Sequence, residues 1–502
     1  MFNIGAHLIP TFVILPLGGA FLVSLLGKRI KAFPDIFANI ITSLLLVLSI
    51  YSVSLVRQSG VLVYKVGMWV PPAGISMVLD GLSSFMLLTV NLIAFFIMLY
   101  SVNYMERYTE KWKFYTLFLL MLTGMEGVVI TGDLFNLFVF LEIGSVASYA
   151  LVAYGTEAEE LEASFKYLVM SSLGSIFVLL GIALVYGYTS TLNMADIAST
   201  LIQKGPGKIT LFVSVLFLMG FGLKSALVPF HAWLPDAHPA APAPISAMLS
   251  GVLIKALGVY ALVRIFFNII GVTPTLLSVL MFLGAVSMVI GVFLAIGQWD
   301  LKRLLAYHSI SQIGYVILGL GLGTPLGIFG GLFHLFNHSV FKSLLFLNSG
   351  AIEYSIGTRD LKRMGGLRER MPVTADTSLV ASMSIAGIPP FNGFWSKLVI
   401  ILAAVQAGQL VYALFAVIAS IMTLASFMKV QKFAFFGKLN DAYKNVLEVP
   451  VFMRVSMIML AVACILGGLL IIPAFSKVFI GGAESVLVNG TNYARGVFGA
   501  IK

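Results

Sequence analysis

The sequence predicts an all-α polytopic membrane protein with about 14 transmembrane helices. Three observations lead to this fold class. Hydrophobic residues make up 59% of the 502 residues and charged residues only 10%, and the mean hydropathy is +1.01. A soluble globular protein carries about 25% charged residues. A soluble fold is therefore excluded.

The apolar runs between charge clusters define the spans in order. Their starts lie near residues 7, 36, 78, 114, 134, 160, 209, 244, 275, 303, 326, 373, 408 and 453. The first run, Leu8 to Leu26, has no basic segment before it, so we expect a retained span rather than a cleaved signal. The spans divide into an N-terminal three-helix segment (1–105), a first five-helix repeat (113–270), a second five-helix repeat (273–435), and a last helix with an external tail (450–502).

Basic residues predict the orientation of these spans. The loops after odd-numbered spans hold most of the Lys and Arg residues, such as Lys28, Lys111 and Lys302. The loops after even-numbered spans hold fewer, among them Arg57 and Arg264. By the positive-inside rule, both termini should be external to the cell membrane. Because the basic residues do not cluster on one face, the net charge of +10 does not indicate a nucleic-acid partner.

A weak internal repeat relates the two five-helix units. Ser164 to Val169 in span six resembles Val340 to Leu345 in span eleven. Each copy would have five helices, an odd number, so the second copy should run inverted through the membrane, as in many secondary transporters. Chance similarity between helices rich in Leu and Phe is the alternative.

Proline residues predict broken helices at the same place in both repeats. Pro229 follows Lys224 in span seven, and Pro389 and Pro390 precede Lys397 in span twelve. A helix broken at membrane depth leaves backbone groups unpaired unless protein or a wet cavity supplies partners. We therefore expect a hydrated interior near spans seven and twelve, although a proline kink can also be purely structural.

Five charged residues lie inside predicted spans: Glu142, Lys224, Lys255, Lys342 and Lys397. Each charge at the bilayer centre costs about 2.5 to 3.5 kcal/mol on insertion scales, so they should face water or one another. Burial favours the neutral form of a lysine, and a nearby carboxylate favours the charged form. Such a row could pass protons. The alternative is that Glu142 pairs with one lysine only to hold helices together.

Two histidines in span eleven add groups that titrate near neutral pH. His334 and His338 share a helix face, and their order, His-Leu-Phe-Asn-His, invites comparison with the zinc helix of metalloproteases. Leu335 replaces the glutamate that would act as the base, and no third ligand is evident in the sequence. Proton relay is the favoured interpretation, no metal site is expected, and an intramembrane metalloenzyme is the weaker alternative.

A third polar group follows the break in span seven. His231, Asp236 and His238 lie toward the basic, internal side. They are candidates for proton uptake, or they could simply cap and hydrate a kinked helix.

Several motifs together resemble a known family. They are Gly132–Leu137 running into Glu142, Gly222–Ser225 with Pro229–His238, Tyr307–Tyr315, Phe333–His338 with Phe341–Phe346, and Gly387–Phe394. These stretches, within residues 75 to 435, are similar to the antiporter-like subunits shared by respiratory complex I, Mrp-type multisubunit sodium/proton antiporters, and membrane-bound hydrogenases with their sulfur-reducing relatives.

The resemblance implies roles for particular residues. Glu142 would pair with Lys224, and Lys255 would be the central relay. His334 with His338 would bridge the two half-channels for protons, and Lys397 would be the terminal site. Some family members have Glu at that last position. Lysine there favours the D-type subunit of Mrp complexes or the matching subunit of the hydrogenases.

The expected function is proton translocation, with or without exchange for sodium, by one subunit of a multisubunit complex. Its partners would be other membrane subunits, including homologous antiporter-like ones. The chain is not expected to be catalytic itself, although its complex could be a membrane oxidoreductase. No cofactor is expected, because the sequence has no nucleotide-binding glycine fingerprint and its single cysteine, Cys464, cannot hold a cluster. A self-sufficient secondary transporter is the alternative from another class.

Overall fold

The computed structural model describes residues 5–205 and 207–501, which fold into long helices joined by short loops. The N-terminal helices are α1 (Thr11–Leu26), α2 (Phe33–Ser59) and α3 (Gly81–Tyr104), with a hairpin of β1 (Leu62–Lys65) and β2 (Ser76–Leu79) between α2 and α3. The next helices are α4 (Lys111–Ile130), α5 (Leu134–Val152), α6 (Ala158–Thr189), α7 (Met194–Lys204), α8 (Lys208–Lys224), α9 (Leu234–Ala240) and α10 (Ala243–Ile270).

The helices of the second half follow along the chain. They are α11 (Pro274–Ile296), α12 (Leu301–Gly321), α13 (Pro325–Ile356), α14 (Pro372–Ala386), α15 (Asn392–Gln406) and α16 (Leu410–Phe435). The chain then continues through α17 (Val451–Ile471), α18 (Pro473–Phe479), α19 (Gly481–Val488) and α20 (Tyr493–Ile501).

Eleven of the described helices are long and apolar enough to cross a membrane. The 32-residue α13 and the broken pairs α8/α9 and α14/α15 lie at the other three predicted spans. Each predicted span therefore corresponds to a helix or a broken pair, and the polytopic all-α class is confirmed. Pro229 lies in the first break, between α8 and α9, and Pro389 and Pro390 lie in the second, between α14 and α15.

Two short backbone bridges mark matching positions in the two halves. Asp133, before α5, bridges to Asn193, which follows α6, and Asp300, before α12, bridges to Asp360, which follows α13. Each residue of the second bridge lies 167 positions after its counterpart. The third helix of each half is also 32 residues long, so the helix order supports an internal repeat.

The local sequence echo between spans six and eleven does not match this order. Lys166 lies in the third turn of α6 and is exposed, whereas Lys342 lies near the middle of α13 and is fully buried. Two short Leu- and Phe-rich segments resemble each other here without occupying equivalent places. The repeat is carried by the order of helices and breaks rather than by that hexapeptide.

Glycines allow the closest helix crossings. A Cβ placed on Gly124 of α4 would lie 2.3 Å from the backbone nitrogen of Gly144 in α5. Backbone atoms cannot move aside as a flexible side chain can. Small residues at such crossings are what let membrane helices pack by van der Waals contact.

We expect Gly124→Ala to destabilise the protein by about 1 to 3 kcal/mol, because α4 and α5 must separate. Gly187→Ala is the matched control. A Cβ on Gly187 in α6 would meet nothing within 4 Å, and alanine is the better helix former. Thermal unfolding of the purified protein in detergent should show a lower Tm for the first variant only. An unchanged Tm for Gly124→Ala would contradict the close crossing.

Candidate functional site: a row of buried lysines and histidines

The first part of the row is an acid–base pair between α5 and α8. The Nζ atom of Lys224, the last residue of α8, lies 3.6 Å from a carboxylate oxygen of Glu142. It donates hydrogen bonds to the hydroxyls of Ser145 (2.9 Å) and Ser171 (2.6 Å). Lys224 is buried, whereas about a third of the Glu142 side chain is exposed (32%). Ser175 also donates to the Glu142 carboxylate.

Lys255, the second part, lies in α10 within a π-helical stretch, Leu249–Tyr260. Its ammonium group donates to the backbone carbonyls of Ser250 (2.6 Å) and Gly251 (2.8 Å). A π-helical register is often found at functional sites, and here the side chain bonds back to its own helix. In the described part of the chain, Lys255 has no carboxylate within ion-pair distance although it is fully buried.

Helix α13 provides the central groups, spaced four residues apart on one face: His334, His338 and Lys342. The two ring nitrogens of His334 are within hydrogen-bond distance of Ser396 Oγ (2.9 Å) and Gln312 Oε1 (3.2 Å). The rings of the two histidines are stacked, with centroids 6.3 Å apart. Because both nitrogens of His334 are already engaged by side chains, this geometry fits a hydrogen-bonded relay better than a metal ligand.

Helix α13 also carries buried polar atoms close to Lys255 of α10. Neither ring nitrogen of His338 nor the Nζ atom of Lys342 has a hydrogen-bond partner among the described residues, and all three atoms are buried. Lys342 lies near enough to Lys255 for their charges to repel, and His338 interacts electrostatically with both lysines. Buried polar atoms of this kind are normally satisfied by ordered water. His338 and Lys342 are therefore the side chains of the row that no described residue satisfies with a hydrogen bond.

Lys397 in α15 ends the row. Its ammonium group donates to the carbonyl of Ile385 (2.7 Å) and lies 3.5 Å from Ser420 Oγ. It also lies 4.8 Å from the centre of the Tyr315 ring, which is 5.4 Å from the ring of His334. A cavity of about 250 Å³, lined mostly by apolar residues of α14, α15 and α16, adjoins the ammonium group.

The two helix breaks explain why lysines occupy these places. Lys224 ends α8, and Lys397 contacts the last turn of α14. The C-terminal end of a helix carries partial negative charge and unpaired carbonyls, so it stabilises a cation. Trp233 Nε1 donates to the Leu223 carbonyl (3.1 Å), and Ser420 donates to the Ala386 carbonyl (2.9 Å), which satisfies neighbouring groups at the breaks.

The three candidates for proton uptake, His231, Asp236 and His238, differ in how deeply they are buried. Asp236 faces a cleft of about 280 Å³ at the bundle surface, 3.2 Å from Lys166 and 3.4 Å from Arg303. His238 is fully buried, and its ring stacks on Phe346 at 4.7 Å. His231 is half-buried. His238 also interacts electrostatically with Lys302, Lys342 and Lys255, so it lies between the surface and the central lysines.

Two of the basic residues used for orientation are buried in ion pairs rather than solvated. Arg264, predicted in an external loop, lies inside α10 and is buried, paired with Asp80 at 2.7 Å. Lys302, predicted in an internal loop, is buried at the start of α12 and paired with Glu353 at 3.0 Å. Each lies within two turns of a helix end, where the sequence does not distinguish a solvated charge from a paired one.

Sequence reasoning also missed several polar partners. They are Ser145, Ser171 and Ser175 beside the Glu142–Lys224 pair, Gln312 and Ser396 beside His334, and Asp300, Glu353 and Arg359 in the ion-pair cluster of Lys302. Serines and a glutamine in apolar helices are too common to stand out. Glu353, a charge in the last turns of a long predicted span, was the one available signal.

Comparison with known proteins identifies related sequences. The family profile described as NADH:quinone oxidoreductase/Mrp antiporter, transmembrane region, matches residues 131–423. A second profile, described as the N-terminus of chain 5 of NADH-ubiquinone oxidoreductase (complex I), matches residues 69–115. The D-type Na(+)/H(+) antiporter subunit of Alkalihalophilus pseudofirmus is 38% identical over 398 residues, which cover 78% of this chain and 80% of that protein. The N-type NADH-quinone oxidoreductase subunit of Desulforudis audaxviator is 35% identical over 485 residues, covering 92% and 96%.

Solved structures show the same architecture. A chain of the Mrp complex from Dietzia sp. DQ12-45-1b superposes with a TM-score of 0.91 and 29% identity, covering 99% of this chain and 100% of that one. A chain of the archaeal membrane-bound sulfane sulfur reductase, a respiratory membrane complex, superposes with a TM-score of 0.89 and 32% identity, covering 97% and 99%. These likenesses extend over the whole bundle, including both broken helices.

Proposed function

This chain belongs to the NADH:quinone oxidoreductase/Mrp antiporter family of membrane subunits, and we propose that it translocates protons as one subunit of a multisubunit membrane complex. The protons would move along the row formed by Lys224, Lys255, the α13 histidines and Lys397. Family relatives that are named as sodium/proton antiporter subunits and solved relatives that lie in membrane complexes support this assignment.

The main support for the proposal is the chemical nature of the groups to which the buried lysines donate hydrogen bonds. Lys255 and Lys397 bond to backbone carbonyls, and Lys224 bonds to two serine hydroxyls besides its longer contact with Glu142. A purely structural buried lysine would be matched by a close carboxylate, whose charge would be stranded if the lysine lost its proton. Neutral acceptors leave no such charge, so these lysines can exchange protons.

The route would begin at the basic end of the bundle. The cleft around Asp236 would collect protons, and His238 would pass them toward Lys342 and Lys255, with which it interacts electrostatically. The histidines of α13 would link Lys255 to Lys397. Protons would leave the row at Lys397, which adjoins the cavity. The Glu142–Lys224 pair would bias this movement, because its partly exposed carboxylate can respond to a neighbouring subunit.

The remaining assignments are also proposals. Sodium would be the exchanged ion, and the chain would take the place of the D-type subunit in an Mrp complex, supported by relatives with that name. The chain would lie in the cell membrane with both termini external, supported by the distribution of loop lysines and arginines. An external-side reporter fused after Ile501 should be active, and an inactive reporter would refute this orientation.

The domain limits are proposed on the order of elements. Residues 1–105 would form the N-terminal segment, 113–270 and 273–435 the inverted repeats, and 450–502 the last helix and tail. The matching backbone bridges and the paired broken helices support the two repeats.

We expect Glu142→Gln and Lys224→Ala each to reduce ion-coupled proton transport about 100-fold, the scale on which a positioned proton-transfer group contributes. The measurement is the pH gradient formed or dissipated by inverted vesicles from cells that express the whole complex. Assembly should persist, since the Glu142 carboxylate is partly exposed and Lys224 also donates to the hydroxyls of Ser145 and Ser171. Lys444→Ala, at an exposed lysine paired with Asp441, is the matched control. Near-normal transport in either site variant, with the control intact, would refute the proposal.

A further inference from the structure

A large cleft lies at the basic end of the bundle, away from the row of lysines. It has a volume of about 560 Å³ and lies between the loop joining α1 to α2 and the loop joining α3 to α4. Its polar lining includes Lys28, Lys31 and Lys111 together with Glu106 and Glu110. Trp112, half-buried, forms part of the wall. Trp is characteristic of the membrane–water interface, where its amphipathic ring is stable.

The cleft carries an excess of positive charge. Lys111 is neutralised by an ion pair with Asp35, and Lys113 by one with Glu110. The hydrogen bond and charge of Lys113 lower the pKa of Glu110, so this carboxylate stays ionised and the pair stays neutral. Lys28 and Lys31 are exposed, and within residues 5–205 and 207–501 neither forms an ion pair. Glu106 also lines the cleft without an ion pair among these residues, so the two lysines exceed it by one positive charge. That excess favours an anion.

An apolar groove lies near the cleft, on the side of the bundle. It has a volume of about 340 Å³ and lies between α2, α3 and the first turn of α17. Its walls include Ile36, Phe95, Leu99 and Phe452, and it begins at Asp35, next to the Pro34 that lines the cleft. From Asp35 to Ser43 the groove follows α2 for about 12 Å at the rise of an α-helix.

The geometry points to a binding site for one anionic glycerophospholipid, with its phosphate beside Lys28 and Lys31 and one acyl chain in the groove of α2, α3 and α17. Charge and shape complementarity together select this occupant. Basic pockets between transmembrane helices on the internal face attract anionic headgroups. A free phosphate or a soluble anion would use the cleft but leave the apolar groove unfilled. A zwitterionic lipid would fill the groove but gain little from the two lysines.

The position of Asp35 fits this occupant. It lines the groove next to Pro34 of the cleft, and an isolated carboxylate there would repel a phosphate. Lys111 neutralises it, and the Tyr115 hydroxyl also donates to it. The charge of Asp35 is therefore neutralised. The positive charge of the cleft remains on Lys28 and Lys31, beside which the headgroup would lie.

The test uses the intact complex, stripped of lipid in detergent and examined by native mass spectrometry. Dioleoyl phosphatidylglycerol, dioleoyl phosphatidylcholine and glycerol 3-phosphate are titrated separately. We expect phosphatidylglycerol to bind this chain at least about tenfold more tightly than phosphatidylcholine, and the Lys28→Ala/Lys31→Ala variant to lose that preference. Lys438→Ala/Lys444→Ala, a pair of exposed lysines elsewhere, should keep it.

A second variant tests the groove without changing charge. Ile36→Trp places a large ring in the groove from an exposed position and should weaken phosphatidylglycerol binding while leaving glycerol 3-phosphate binding unchanged. Equal binding of the two lipids, or an unchanged preference in the Lys28→Ala/Lys31→Ala variant, would overturn the proposal. So would glycerol 3-phosphate binding as tightly as the lipid, since the site would then recognise a free phosphate. The readout is binding, so failure here would leave the proton route standing.

Discussion

Replacing Lys255 with methionine is expected to stop proton translocation while the complex still assembles. The side chain is fully buried, and among the described residues its hydrogen bonds go to the carbonyls of Ser250 and Gly251. Methionine fills a similar volume and carries no exchangeable proton. The two carbonyls can still accept from backbone N–H groups of α10, so we expect little loss of stability. Transport by inverted vesicles should fall by about 100-fold or more.

Replacing Lys255 with arginine tests whether this residue acts through its positive charge or by exchanging a proton. Arginine keeps the positive charge but does not lose its proton in proteins. If Lys255 only supplied charge, Lys255→Arg would be active. We expect it to be as inactive as Lys255→Met, with normal amounts of assembled complex and with Lys444→Met as the unaffected control. Substantial transport in either Lys255 variant would exclude this lysine as a relay.

The largest effect on stability is expected from Asp80→Asn. Asp80 pairs with Arg264 through two short contacts, 2.7 and 2.8 Å, and both side chains are nearly fully buried. Asparagine can keep the bond from the Ser83 backbone N–H that caps α3, but it leaves the guanidinium without a counter-charge. Breaking one side of a buried ion pair costs about 3 to 5 kcal/mol. The Tm of the purified protein and the amount of assembled complex should both drop.

The double variant Asp80→Asn/Arg264→Met should recover much of that loss, because it removes the stranded charge. Asp376→Asn is the matched control, since its pair with Arg368 is exposed and worth about 0 to 1 kcal/mol. A double variant as unstable as the single one would show that the pair is not what stabilises this region. The contacts of Arg264 with Tyr260 and Asn268 would then be the important ones.

The predicted spans agree closely with the helices because each span has to be apolar along about 20 residues, a local property. The predicted start near 134 matches α5, which begins at Leu134, and the start near 326 matches α13, which begins at Pro325. The broken helices were predictable for the same reason, since Pro229 and Pro389 remove backbone donors wherever they occur. The backbone bridges between Asp133 and Asn193 and between Asp300 and Asp360 had no local signal.

The sequence predicted which charged residues form the candidate site, but it did not predict which groups hydrogen-bond to them. A charge inside an apolar run is costly wherever the run packs, which singles out Glu142, Lys224, Lys255 and Lys397. Which groups satisfy each charge depends on residues far apart in the chain. The carbonyl of Ile385 bonds to Lys397, Gln312 bonds to His334, and Ser171 bonds to Lys224.

The amino-acid sequence by itself determined the membrane-spanning class, the two helix breaks and the lysines that lie inside apolar helices, which are Lys224, Lys255, Lys342 and Lys397. These follow from transfer free energies and backbone chemistry that act on each segment separately. Only the tertiary structure decided that Arg264 and Lys302 are buried in ion pairs. It also decided that Lys342 and His338 have no hydrogen-bond partner among the described residues, and that a basic cleft lies near an apolar groove. Those features depend on distances between helices, and packing, not local hydropathy, sets such distances.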